Sequence, residues 1–290
     1  MNAPPPGSAV ARDPAWLEQE PVVIFLSSFG RPLYLWQCLD ALWRQTHFPA
    51  RVILLDNAHP SAVVGDVIKA FDRRGLFSEV VRFSTNSFSN IRAAYQQHLP
   101  SLGPLHVFME SDVVIQERPG CWLAEMGRIM KANPQIGMLG SLIDGRDFVS
   151  KEQALTLTSG DLKAATFLAK LQSRERGFLD APQWGDPARD FFPTEPPCPI
   201  SSPPGRLLML RTDAMREIGL LTDSALAKAF RLRGMRPAIT SLVRHRHLSL
   251  LNIYDYNEYS GTLRDSYFFP LAPGSIPSPP AASQLGDGTG

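Results

Sequence analysis

The sequence predicts an α/β protein, a mainly parallel sheet covered by helices on both faces. Three observations carry this. Short apolar, β-branched runs alternate with stretches of helical spacing from residue 21 to about residue 145, the pattern of strands joined by crossover helices. Four consecutive runs end in polar residues, and right-handed crossovers bring such strand ends to one edge, where ligands bind in sheets of this kind. The chain ends differ: both are rich in Pro, Ala, Gly and Ser and cannot build a core. Residues 1–15 are therefore expected to be disordered, residues 16–269 to form one domain, and residues 270–290 to form a disordered Pro-rich tail.

Residues 21–27 (PVVIFLS) read as the first strand. Residues 33–46 follow as a helix, with Leu35, Leu39, Leu42 and Trp43 at helical spacing. Residues 51–56 (RVILLD) make a second strand that stops at an acid, and residues 62–71 a helix. Residues 79–83 (EVVRF) are a third strand, residues 90–99 a helix, and residues 105–109 (LHVFM) a fourth strand, with Val113, Val114 and Ile115 extended beyond it. Residues 122–132 form an amphipathic helix and residues 136–143 a further strand. Residues 162–171 suit a helix inside an otherwise irregular stretch. Residues 206–211 (RLLMLR) read as a strand leading to a short helix that Thr212 is placed to cap. A second helix runs through Leu226, Ala229 and Phe230 and stops at Gly234. If residues 243–247 (VRHRH) are extended, His245 and His247 share one face and Arg244 and Arg246 the other.

Composition narrows the function. The chain has 290 residues, 44% hydrophobic and 20% charged, which suits a globular protein. A net charge of +1 gives no nucleic-acid footprint. Its three cysteines, Cys38, Cys121 and Cys198, are odd in number and widely spaced, neither a disulfide framework nor a zinc cluster. That usage fits a reducing cytoplasm. Residues 1–13 lack the apolar core of a signal peptide, and no apolar run reaches the roughly 20 residues needed to span a bilayer. The expected location is cytoplasmic, with any membrane contact peripheral or through a partner.

The most informative stretch is residues 105–115 (LHVFMESDVVI). Glu110 and Asp112 flank Ser111 at the end of a hydrophobic strand, where carboxylates are costly to bury unless something compensates them. A hard divalent cation would do so, magnesium or manganese; read alone, the same residues also suit a strand that simply ends in a polar turn. The other strand ends are also polar: Ser27, Ser28 and Arg31, then Asp56 and Asn57, then residues 86–90.

Taken in order, PVVIFLSSFGRPLYLWQCLDAL, ILLDNAHP, TNSFSNIRAAYQQHL and VFMESDVVI resemble the nucleotide-sugar half of GT-A glycosyltransferases, particularly the inverting family 2 type. The resemblance covers residues 21–145 well and residues 200–250 loosely, with residues 146–269 as the acceptor half. It implies a Rossmann-like sheet and transfer of a sugar from a nucleotide-sugar, most readily a UDP-sugar, to a hydroxyl of a glycan, glycolipid or small acceptor, as in polysaccharide synthesis. It places Ser27, Ser28 and Arg31 in the loop that cradles the nucleotide, Asp56 at the base or ribose, and Asn86 and Asn90 in the turn beside the donor; Asp56 read by itself also suits an N-cap for the helix that follows. Arg92 in that stretch is either a phosphate contact or an exposed helix residue. Glu110-Ser111-Asp112 takes the place of the family's Asp-X-Asp, with Glu110 toward the donor sugar or ribose and Asp112 toward Mn2+ or Mg2+. The longer Glu at the first position departs from the pattern.

Thr222-Asp223 occupies the place of an acidic pair whose second member is the catalytic base, and Asp223 also suits a helix N-cap. One of His245 and His247 is implied near the metal; the sequence does not choose, and His247 is preferred. Trp184, Phe191 and Phe192 suit either a sugar platform or ordinary packing, and the Tyr-rich residues 250–269 either a lid or a packing tail. A non-catalytic sugar-nucleotide or glycan-binding protein of the same fold is the alternative that the altered ESD and TD motifs keep open. A nucleotidyltransferase fits less well, because the loop SSFGRP has one Gly and no Lys.

Overall fold

The computed structural model describes residues 21–59, 61–143, 198–199 and 206–248. Along the chain come β1 (Val22–Ser28), α1 (Pro32–Gln45), β2 (Ala50–Asp56), α2 (Ala62–Arg73), β3 (Phe77–Arg82) and α3 (Phe88–His98). After a 3-10 turn at Leu99–Ser101 follow β4 (Leu105–Glu110), β5 (Val113–Ile115), α4 (Trp122–Ala132), β6 (Ile136–Ile143), β7 (Cys198–Pro199) and β8 (Leu207–Arg211). The last elements are α5 (Thr212–Ile218), α6 (Asp223–Leu232) and β9 (Arg236–His247). The expectations for residues 1–15, 162–171, 250–269 and 270–290, and for Trp184, Phe191 and Phe192, lie outside the described residues.

These strands form one sheet in the order β3-β2-β1-β4-β8-β6-β9-β5, with β7 on β9. β1 to β4 are mutually parallel, β8 runs against β4 and β6, and β9 rejoins the majority direction beside β6. β5 and β7 run against β9. The sheet is thus mainly parallel, with β8 as the reversal inside it.

Near-continuous apolar strands need cover on both faces, and alternation divides their side chains between two cores. On β1, Val22, Ile24 and Leu26 join the core that holds Leu35, Leu39, Ile68 and Trp122 of α1, α2 and α4. Val23 and Phe25 join the core that holds Ile91, Tyr95, Met215 and Phe230 of α3, α5 and α6. β4 and β8 repeat this, with Val107, Met109, Leu207 and Met209 on the first face and Phe108, Leu208 and Leu210 on the second. By the same period of two, Glu110 and His106 belong to the second face.

Two features set the positions at the sheet rim. After a first irregularity between Ile136 and Met138, β9 keeps step with β6 from Met138 opposite Pro237 to Ser141 opposite Thr240, then resumes with Leu142 opposite Arg244. The extra residues bend β9 toward β5, so Val113 pairs with His247 and Leu248 N–H donates to the Asp112 carbonyl at 2.8 Å. The second feature is α6, which docks through the fully buried Phe230. A Cβ on Gly137 would lie 2.2 Å from that ring, so the close seat depends on glycine.

Several local expectations are corrected. Extended structure begins at Arg236, not only at Val243, because Pro237 near a strand start loses no interior ladder bond. α3 begins at Phe88, capped by the Ser87 hydroxyl, which accepts from Ser89 N–H at 3.2 Å. Thr212 is the first residue of α5 rather than its cap, and its hydroxyl is used by His106 at 2.9 Å. Thr222 stands at the N-cap of α6, which leaves Asp223 as the first helical residue.

Candidate active site

The turn between β4 and β5 divides its two acids between opposite sides of the rim. Asp112 is 7% exposed. Its Oδ2 lies 3.4 Å from His247 Nε2 and 3.5 Å from Arg31 Nη1. Its Oδ1 is buried and has no hydrogen-bond partner among the described residues. Burial alone would raise this carboxyl, but the charges of His247, Arg206 and Arg31 outweigh it and hold the group well below the usual carboxylate range. Arg31 gets there from a strained loop. Gly30 and Arg31 both adopt positive φ, 63° and 54°, before Pro32 opens α1.

His245 is equally buried but turns to Ser141, whose hydroxyl lies 2.7 Å from Nδ1. The register of β9 on β5 thus distinguishes two histidines that the sequence left equivalent: His247, opposite Val113, stands beside Asp112, and His245, opposite Ile115, turns to Ser141.

Glu110 points to the other side, where Arg206 forms an ion pair with it. Burial raises the Glu110 carboxyl and Arg206 opposes this, while the nearby Asp112 and Asp223 carboxylates push it further up. Glu110, Arg206 and Asp223 all line a cleft of about 590 Å³ between β4, β8 and the start of α6. The structure therefore brings Asp223 to the same opening as Glu110, although 113 positions separate them in the chain.

Backbone bonds tie the neighbouring strand ends together. Ser111 N–H donates to the Ser27 carbonyl at 3.0 Å, and Asn57 N–H donates to the Ser28 carbonyl at 2.8 Å. Ser28 is buried, with its hydroxyl lacking a partner among the described residues. Asp56 is 3% exposed. His59 Nε2 lies 3.2 Å and Arg82 Nε 3.9 Å from its Oδ2, and its Oδ1 has no partner among the described residues. Burial raises the Asp56 carboxyl, and His59 and Arg82 pull it back down. Ser61 rather than Asp56 stands at the N-cap of α2. Asn57 bridges to Asn86 and accepts from Ser87 N–H at 3.1 Å, which docks the turn before α3. Asn90 instead turns back on its own loop and donates to the Thr85 carbonyl at 2.7 Å. Arg92 is exposed on α3.

The sequence reading missed Arg206, His59, Asn57 as a bridge, and Ser141. Only His59, three residues after Asp56, carried a local signal. The others meet their partners through strand pairing.

Among the described residues no group of three or more His, Cys, Asp and Glu could hold a metal ion. What Asp112 and His247 offer is smaller: a carboxylate with one open oxygen beside an imidazole nitrogen. That set fits a hard cation that takes its remaining ligands from phosphate oxygens and water.

No family model matches the sequence, and no curated protein matches it. Solved structures do. The chain is similar to a mannosyltransferase, PcManGT from Pyrobaculum calidifontis, solved in complex with GDP-Man and Mn2+, with a TM-score of 0.52 at 13% identity over 82% of this chain and 59% of that one. It is also similar to GalNAc-T7 solved with UDP, GalNAc and Mn2+, with a TM-score of 0.53 at 12% identity over 78% of this chain and 43% of that one. The chain thus spans about half the length of the structures it resembles. At these identities the likeness shows the fold, and the fold is GT-A, the Rossmann-like sheet that the strand order suggested.

Proposed function

We propose that the chain is a glycosyltransferase that moves a sugar from a nucleoside diphosphate, preferentially UDP, to an acceptor hydroxyl. The observation that carries this reading is Asp112: a buried, ionised carboxylate with one open oxygen, flanked by His247 and Arg31, at the strand ends of a GT-A sheet. The structural neighbours solved with UDP or GDP-Man and Mn2+ support it.

In this reading Asp112 and His247 hold Mn2+ or Mg2+, which when bound offsets the charge of the departing diphosphate. Arg31 adds a fixed cation at the same place. Ser27, Ser28, Asp56, Asn86 and Asn90 line the nucleotide side, with Glu110 and Ser111 between nucleotide and sugar. Glu110 is held by Arg206 and so is poorly placed to accept a proton. Asp223, across the cleft, takes the proton of the acceptor hydroxyl as its oxygen bonds to the anomeric carbon. The bond from that carbon to the diphosphate oxygen breaks, and its electron pair leaves with the diphosphate. A single displacement of this kind inverts the anomeric centre. Among the described residues no helix is long and apolar enough to cross a membrane; the cytoplasmic location is proposed on the cysteine usage alone.

Thermal unfolding with UDP, GDP, CDP and dTDP, each with and without Mn2+, tests the reading on wild type and Asp112→Ala. Binding to the folded state alone raises the midpoint by mass action. Manganese-dependent stabilisation by one diphosphate, lost in the variant, is the expected result. No response from a folded protein to any of the four would sink the donor site. Stabilisation without any donor hydrolysis or transfer would favour a binding protein of the same fold.

A further inference from the structure

The cleft beside Asp223 is lined by polar groups at Glu110, Arg206 and Thr222–Ser224 and by apolar side chains elsewhere. β4 and β8 form its floor, and alternation aligns three levels on this face: Glu110 with Arg206 at the rim, then Phe108 with Leu208, then Leu210. Phe88 at the start of α3 and Leu221 before α6 form the walls. Leu208, Leu210 and Leu226 are 2%, 0% and 1% exposed, so the deep part is aliphatic and offers no hydrogen bond. A free sugar is hydroxylated all round, and each hydroxyl buried there would go unsatisfied.

A second depression of about 390 Å³ shares Leu220 and Leu221 with the first and continues between α3 and α5, past Arg92, Gln96 and Glu217. Phe88 is 46% exposed at the mouth, so its ring offers apolar surface to whatever enters there.

We propose that this trough is the acceptor site and that the acceptor is amphipathic: a hydroxyl presented to Asp223 on an alkyl or aromatic body that lies on Phe88, Leu221 and the edge of Phe108. This rests on the glycosyl-transfer reading for the role of Asp223, but the ligand class follows from the walls alone. A cleft of about 590 Å³ is the size of an ordinary small-molecule site.

The test uses the full chain and two probes, n-octyl β-D-glucoside below its micelle concentration and methyl β-D-glucoside. Binding is read by thermal shift and intrinsic fluorescence on wild type, Phe88→Ser, Leu221→Asp and the control Leu232→Ser, whose side chain is 78% exposed on the far end of α6. The octyl probe is expected to bind at least about tenfold tighter than the methyl probe, since each buried methylene adds several-fold. Phe88→Ser and Leu221→Asp should each remove most of that advantage, Leu232→Ser none. Equal affinity for the two probes, or an octyl response that neither trough variant weakens, overturns the proposal. Manganese–UDP stabilisation measured on the same samples separates the two readings. If it persists while the octyl response is absent, only the acceptor class fails. If it is absent while the octyl response maps to the trough, the transferase reading fails and the ligand class stands.

Discussion

The two ends of β4 bury ionisable side chains to a similar depth and treat them in opposite ways. At the start of the strand His106 is fully buried between the Tyr95 hydroxyl, 2.5 Å from Nε2, and the Thr212 hydroxyl, 2.9 Å from Nδ1. Burial depresses it to about 3, so it is a neutral packing group whose polar atoms are satisfied. At the other end Asp112 is ionised, flanked by Arg31 and His247, and keeps an open oxygen. Burial is therefore a poor marker of function by itself. The discriminating feature is whether the surroundings finish the group's hydrogen bonds or leave one for a ligand.

The sharpest way to break this comparison is Asp112→Asn. The amide keeps the shape and removes the charge, so transfer should fall by roughly a thousandfold, several kcal/mol of lost charge stabilisation. The unfolding midpoint without ligand should move far less, and turnover with the assigned donor checks both. Activity within tenfold of wild type would place the reaction elsewhere.

The opposite end should give the opposite pattern. His106→Phe strands two buried hydroxyls and should cost about 2–4 kcal/mol in denaturant unfolding, with diphosphate stabilisation intact. It also removes a pH term. Above pH 6.5 neither the folded nor the unfolded histidine is charged. Between 6.5 and about 3 the unfolded chain takes up a proton that the folded protein refuses, so stability falls as pH falls. That slope approaches about 1.4 kcal/mol per pH unit, and it should be missing from His106→Phe in parallel titrations.

The sequence revealed one end of β4 better than the other, for physical reasons. Glu110-Ser111-Asp112 was conspicuous because charge breaking an apolar strand is costly, and the alternation around it was enough to foresee a mainly parallel sheet. The reversed β8 was not foreseen as antiparallel, since RLLMLR looks the same in either direction. With the direction of β8 unread, the Arg206–Glu110 pair, 96 residues apart, had no local trace. The choice between His245 and His247 depended on the register of β9 against β5, which a period-2 pattern does not report. Asp56 and Asp223 stood out as acids at element ends, but the residues that hold Asp56, His59 and Arg82, sit on a turn and on the next strand.

A smaller effect should follow from the seat of α6. Gly137→Ala sets a methyl against Phe230 and Met235, overpacking that should cost about 1–3 kcal/mol. Because α6 carries both Phe230 and Asp223, transfer should weaken more than diphosphate binding. Equal losses in both would mean that the strain spreads through the sheet rather than through the helix.

The smallest stability change is expected where site and backbone strain coincide. Arg31 holds φ 54°, a region that costs a non-glycine residue of order 1 kcal/mol or more. Arg31→Gly relieves that strain, gives back some of it through the entropy of glycine, and removes a cation 3.5 Å from Asp112. Net stability should stay within about 1 kcal/mol of wild type, while diphosphate affinity drops about tenfold for a lost charge-assisted contact. Isothermal titration beside denaturant unfolding reads both. Unchanged affinity would make Arg31 a loop former, tolerated in a strained conformation for the shape of the turn. Reduced affinity at constant stability would mean that the strain is kept because it aims a guanidinium at the diphosphate, the same logic that leaves Asp112 incomplete and His106 satisfied.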